Sequence, residues 1–147
     1  MTKGARDRVR ATLKGLALIG GLVASTSATA NEIDVFNELS SEYTNCFAFF
    51  TLARRCAPRT ATEGELSRNQ ELRKATADGA IMASKSAGMS DEALAARTKL
   101  AVETLAALIT NDCVNFSVLI AKYGDACRLL LENPKERTQE IREGVNP

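Results

Sequence analysis

Four cysteines, Cys46, Cys56, Cys113 and Cys127, lie downstream of a leader that places them where thiols oxidise. In that leader Arg6, Arg8, Arg10 and Lys14 precede an apolar run, Leu16 to Val23. Small residues follow, ending in Ala28-Thr29-Ala30. A charged start, a short apolar stretch and an A-x-A site together make a secretory signal peptide. Cleavage after Ala30 delivers Asn31–Pro147 to a periplasm or to the medium, where disulfides form and persist. The expected organisation is therefore a leader over 1–30 and one domain over 31–147. An uncleaved anchor is the rival reading, but the run is shorter than the roughly 20 apolar residues of a membrane span. Residue 31 is Asn, so the new terminus carries no lipidated cysteine, and no twin-arginine pair opens the chain. No later segment reads as a span.

Losing the leader reverses the sign of the charge. The whole chain has 19 Lys+Arg and 18 Asp+Glu, net +1. The leader holds five of the former and one of the latter, leaving 14 against 17, or −3, in the mature chain. Mild acidity with mixed signs excludes the clustered basic face that nucleic acid requires. It also speaks against tight adhesion to anionic lipid.

Apolar residues recur at helical spacing throughout the mature chain. Phe36, Leu39, Tyr43, Cys46, Phe47, Phe50 and Ala53 step by threes and fours, which predicts a first helix over about Asp34–Arg55. Val35, Phe49 and Cys56 widen its stripe enough to face two neighbours, and Pro58 ends it. A second helix is expected over Glu63–Ala87, with a thin face of Leu66, Thr76, Ala77, Ala80, Ala83 and Ala87 and a stop at Gly88. Ser90 caps a third, whose stripe from Leu94 reaches Tyr123; a break at Asn111-Asp112 is the alternative. A short fourth helix follows, Asp125–Glu132. Asn133-Pro134 then opens a polar tail helix in which only Ile141 can bury, so fraying is expected there. Nothing alternates with period two. The expected fold is all-α: a small disulfide-stapled bundle of three main helices, up-down-up, plus a short C-terminal helix.

The four cysteines allow three pairings. Cys46 and Cys56 are ten residues apart on one predicted helix. That is about 15 Å along its axis, against the roughly 7 Å a disulfide spans between Cα atoms. They cannot pair with each other. Short connections make up-down-up neighbours, so the first and third helices run parallel. Parallel order predicts Cys46–Cys113 and Cys56–Cys127; the crossed pairing requires antiparallel helices. Gaps of nine and thirteen residues do not suit a zinc site, whose cysteines usually pair two to four residues apart.

The chain has no histidine. Catalytic triads, Cys-His nucleophiles and His-ligated metals are thereby removed. No C-x-x-C redox motif is present either. Neither cofactor nor metal is expected. Asp112 falls in the middle of the long apolar stripe. It reads either as a buried carboxylate serving as acid or proton sensor, or as a cap for a helix restarting there. Arg54, Arg55 and Arg59 cluster at the end of the first helix, where they either grip an anionic partner or complement the helix dipole. In the parallel arrangement they lie near Gly124-Asp125, which offers a local ion pair. Phe47, Phe49 and Phe50 crowd one helix in a chain poor in aromatics. Phe47 and Phe49 sit at opposite edges of the stripe, so one of them, with Tyr43, is a candidate anchor for a protein partner. The competing reading is an ordinary wide core helix.

The segment Asp112-Cys113 … Lys122-Tyr-Gly-Asp-Ala-Cys127, with the export signal and the aromatic first helix, resembles small exported helical proteins of bacteria. That resemblance carries no activity and no functional residue. The expected function is a non-catalytic binding or interaction protein of the bacterial cell envelope, whose partner is another envelope or extracellular protein. A carrier for a small apolar ligand held between helices is the alternative. A carboxylate-dependent enzyme using Asp112 stands third.

Overall fold

The computed structural model describes residues 30–58, 60–110 and 112–145. All regular structure among them is helical: α1 (Ala30–Arg55), α2 (Glu63–Ser86), α3 (Asp91–Leu108), a single 3-10 turn (Cys113–Asn115), α4 (Phe116–Glu132) and α5 (Pro134–Val145). The expected all-α bundle is what the chain forms. The expected leader lies outside the described residues, apart from Ala30 at the start of α1. No single described helix is long and apolar enough to cross a bilayer.

α1 is the axis of the molecule and touches every other α-helix. Its wide stripe explains this, because Val35, Leu39, Cys46, Ala48, Phe49, Phe50 and Leu52 are all buried. Arg54 and Arg55 close its last turn, where positive charge suits the dipole.

α2 starts with a complete capping box. Thr62 accepts from the Glu65 backbone N–H, and the Glu65 carboxylate accepts from the Thr62 backbone N–H. Those bonds favour the ionised form and hold the Glu65 carboxyl below its ordinary range. At the far end Gly88 takes φ +72°, and Met89 N–H reaches back to Ser84 O and Gly88 N–H to Lys85 O. That is a Schellman stop, built on the glycine expected to end the helix. The thin alanine face does pack. Thr76, Ala80, Ala83 and Ser84 are buried, and Ser84 Oγ meets Ser40 Oγ of α1 at 2.7 Å. α2 runs antiparallel to α1, since Ser40 meets Ser84 while Ala53 and Arg54 border Leu66 and Asn69. The approach is close. A Cβ on Gly79 would stand 2.5 Å from the Tyr43 ring.

The stripe of the third helix does not continue to Tyr123. α3 ends at Leu108, Thr110 adopts φ +51°, and α4 departs 87° away. The break near Asn111-Asp112 is the alternative the chain adopts; Asn111 itself lies outside the described residues. Residues assigned to one long helix and one short one instead form α3, a corner and α4, and α4 runs straight through Gly124.

This corner overturns the expected disulfide pairing. The bonds are Cys46–Cys127 and Cys56–Cys113, with Cα separations of 5.4 and 5.2 Å. The parallel argument carried both late cysteines on an element parallel to α1. The bend before Cys113 swings the chain through 87°, so Cys113 meets the C-terminal end of α1 and Cys127 lies further back along it. α4 is therefore antiparallel to α1. Phe49 stacks on Phe116 at the start of α4, with ring centroids 5.8 Å apart.

The polar tail is also better anchored than expected. α5 begins at Pro134, buries Ile141 and lies on α1. Arg137 grips the Glu42 carboxylate with two nitrogens, Nε to Oε2 at 2.9 Å and Nη2 to Oε1, and also reaches Glu140. These bonds push the Arg137 guanidinium above its ordinary range. A polar sequence hides such a contact because its partner is 95 residues away.

Gly79→Ala is expected to destabilise the protein by about 1 kcal/mol, as overpacking against Tyr43 outweighs alanine's better helix propensity. In a Tyr43→Ala background the same substitution should stabilise by up to about 1 kcal/mol. Urea unfolding of the four proteins reads the change of sign. Mapping of non-reduced peptides should return Cys46–Cys127 and Cys56–Cys113. Replacing either pair by alanine should cost about 2–5 kcal/mol, because each bond closes a long loop in the unfolded chain.

Candidate binding site

α2 and α3 both pack on α1 but hardly on each other. α2 sits tightly through its small residues, and α3 docks through Ala101, Leu105 and Ala106. Between them α1 is only partly covered, at Phe47. The result is an open groove of about 470 Å3, floored by Thr44 and Phe47. One wall is Ala77, Ala80, Ile81 and Lys85 of α2; the other is Asp91, Leu94, Ala95 and Thr98 of α3. Each wall repeats at steps of three and four, so each presents one helix face. Ile81 is 42 % exposed, a large aliphatic left open to solvent. The opposite charges of Lys85 and Asp91 mark the end nearest the α2–α3 connection.

The expected site residues do not stay together. Phe47 is half-buried and lies in the groove. Phe49 is buried between Phe50 and Phe116, so it offers no surface to a partner. At the edge of the stripe it turned towards α4, which a two-helix picture of its surroundings did not include. Tyr43 is half-buried over Gly79. Burial, then the neighbouring Glu42 charge, push its phenol above the ordinary value. It serves to pack α2 on α1.

Arg54 and Arg55 are exposed and make no ion pair among the described residues. The local ion pair with Asp125 does not form, because antiparallel α4 carries that residue away and Asp125 pairs with Arg128 at 3.5 Å. Arg59 lies outside the described residues.

Asp112 is exposed, not buried. Its carboxylate accepts from the Val114 backbone N–H at 3.2 Å and caps the 3-10 turn. The apolar stripe around it is interrupted at the corner, so the residue never enters the core. No group of three or more Cys, Asp or Glu gathers as metal ligands among the described residues.

Two groove residues escaped the sequence reading of the site. Leu94 was assigned to the core stripe of the third helix. Ile81 is a large aliphatic lying off the alanine stripe of α2, and that misplacement was the signal available for it. Comparison with family models, with curated proteins and with solved structures finds no match to this chain.

Asp112→Asn is expected to leave stability within a few tenths of a kcal/mol, since asparagine caps about as well as aspartate. Asp112→Ala should cost about 0.5–1 kcal/mol, the usual loss for a cap. Urea unfolding of both variants checks the assignment. A larger loss for the asparagine than for the alanine would contradict it.

Proposed function

We propose that this chain is an exported, non-catalytic binding protein that seats an amphipathic helix of an envelope or extracellular partner in the α1/α2/α3 groove. The observation that carries the reading is the half-buried Phe47 floor between the Ile81 and Leu94 walls. Side chains that large and apolar are normally covered when they line a continuous concavity. From Ala77 to Lys85 the α2 wall runs about 12 Å, two helical turns. A groove of that length suits apolar anchors spaced by three and four on a partner helix. The Lys85 and Asp91 charges at one end supply orientation.

Export follows from the leader, with cleavage after Ala30. The two disulfides are compatible with an oxidising compartment. The carboxylate-enzyme reading loses support, because Asp112 is exposed and engaged with backbone. The carrier reading keeps one observation in its favour: the groove volume falls in the roughly 300–1,000 Å3 range of small-ligand sites.

The test is photo-cross-linking in the exported protein, with the cross-linker placed at Ile81 or, as control, at exposed Glu71. The Ile81 position should yield a discrete protein adduct that Leu94→Glu abolishes, and Glu71 should yield none. Equal adducts at both positions, or none at either, would refute the docking surface. Native mass spectrometry of the same material separates the readings. A co-purifying small molecule lost on Leu94→Glu supports the carrier instead. The denatured mass should correspond to Asn31–Pro147 less four hydrogens.

A further inference from the structure

Across α3 from this groove, a second cavity of about 330 Å3 opens between α1, α3 and α4. Its cation is Arg97. The guanidinium Nη1 donates to the Asn37 carbonyl oxygen at 3.1 Å and to Ser40 Oγ at 3.2 Å. Ser40 is fully buried and is held in turn by Ser84. α1 thus holds one nitrogen of the guanidinium directly, and α2 supports it through Ser84. Yet Arg97 pairs with no carboxylate among the described residues, whereas Arg128 and Arg137 each engage two. Its Nε and Nη2 have no acceptor there.

The Nε/Nη2 edge presents two parallel N–H donors, spaced to match the two oxygens of a carboxylate. The cavity around it is equipped for such a group. Ser41, Asn45 and Thr104 line it, and none makes a side-chain hydrogen bond within the described chain. Leu100, 64 % exposed, stands on the same wall beside Ala101 and Leu105. Polar donors around a fixed cation, next to an aliphatic wall, define a ligand with one anionic end and a short apolar body.

We propose that Arg97 is the anchor of a small-molecule site for an organic monocarboxylate, whose hydrocarbon part lies on Leu100 and Leu105. Arg97 supplies the fork, Asn45 and Thr104 supply lateral hydrogen bonds, and the Ser40–Ser84 contact keeps the guanidinium aimed. A bare inorganic anion would leave the aliphatic wall wet, and a neutral alcohol would leave the fork unpaired. The site adjoins the groove through Thr44, which lines both, but Leu94 and Ile81 take no part in it.

The test uses the oxidised mature chain, 15N-labelled, titrated with hexanoate, hexan-1-ol and inorganic phosphate. Hexanoate should produce saturable shifts at the Arg97 Nε–H, the Asn45 side-chain amide and the Leu100 and Thr104 backbone amides. Hexan-1-ol and phosphate should each need at least about ten-fold higher concentration for half-maximal shifts, from the loss of charge-assisted bonds or of apolar contact. Arg97→Met should weaken hexanoate binding by about ten-fold or more. Because Arg97 also joins α3 to α1, Leu100→Glu provides a second variant at an exposed position that leaves those bonds in place. Like-charge repulsion should weaken hexanoate by a comparable factor while circular dichroism and unfolding stay unchanged. Equal binding of hexanoate and hexan-1-ol overturns the proposal. So does phosphate binding as tight as hexanoate, or shifts that persist unaltered in folded Leu100→Glu.

Discussion

Two covalent ties join α1 and the residue after it to the segment Cys113–Cys127, and the placement of α4 and α5 depends on them. Cys46 lies on α1 and Cys56 one residue past its end, about 15 Å further along its axis, so two bonds to α4 and its leading turn determine both its direction and its register. One tie would leave α4 free to swing about it. With both made, Phe116 comes over Phe49, and Leu119 and Leu130 enter the core. α5 follows α4 directly and meets α1 where Glu42 can receive Arg137. The chain has no tryptophan and a small aromatic content. A core of that kind gains much of its margin from restricting the unfolded chain, which is how long-loop disulfides act in the chain-entropy description.

The opposite side of α1 is held by a different device. α2 carries alanine, glycine, serine and threonine where a typical amphipathic helix carries leucine, so its backbone comes close to α1. Little apolar area is gained there. Compensation comes from polar complementarity: Ser84 bonds Ser40, which also accepts from Arg97. Thr44 and Thr76 return their hydroxyls to backbone carbonyls of their own helices, so they are buried without penalty. One buried serine therefore links α1, α2 and α3, and this link adds to the packing of Ala101, Leu105 and Ala106 that holds α3 on α1.

Much of this was legible in the chain itself. The stripe of α1, the caps at Ser90 and Gly88, the stop at Pro58 and the all-helical class follow from spacing and local chemistry. What escaped were the features that depend on direction. A hydrophobic stripe passes through a corner without changing its period, so Leu94 to Tyr123 read as one helix when Thr110 and Asp112 divide it. That single turn set the sign of every inference downstream. It reversed α4, exchanged the disulfide partners, buried Phe49 and moved Asp125 away from Arg54. The docking of α5 escaped for another reason: a bidentate Arg137–Glu42 pair leaves no periodic trace, since each residue alone resembles a solvated charge. Of the candidate site residues, Phe47 is the one whose position at the stripe edge translated into a surface.

Rigidity and exposure are linked in this architecture. α2, α3 and α4 each rest on α1, with few contacts among themselves, so the clefts between them are outcomes of the packing and not gaps in a continuous core. In a fold maintained by apolar contact alone such clefts would tend to close, because burying Ile81 or Leu100 releases about 25 cal/mol per Å2 of apolar area. Closing them here would mean tilting a helix against a disulfide or breaking the Ser40 link. The bundle thus keeps apolar and cationic side chains open to solvent at fixed spacing. Such preorganisation lowers the entropic cost of binding, which is what a small rigid scaffold can contribute to recognition.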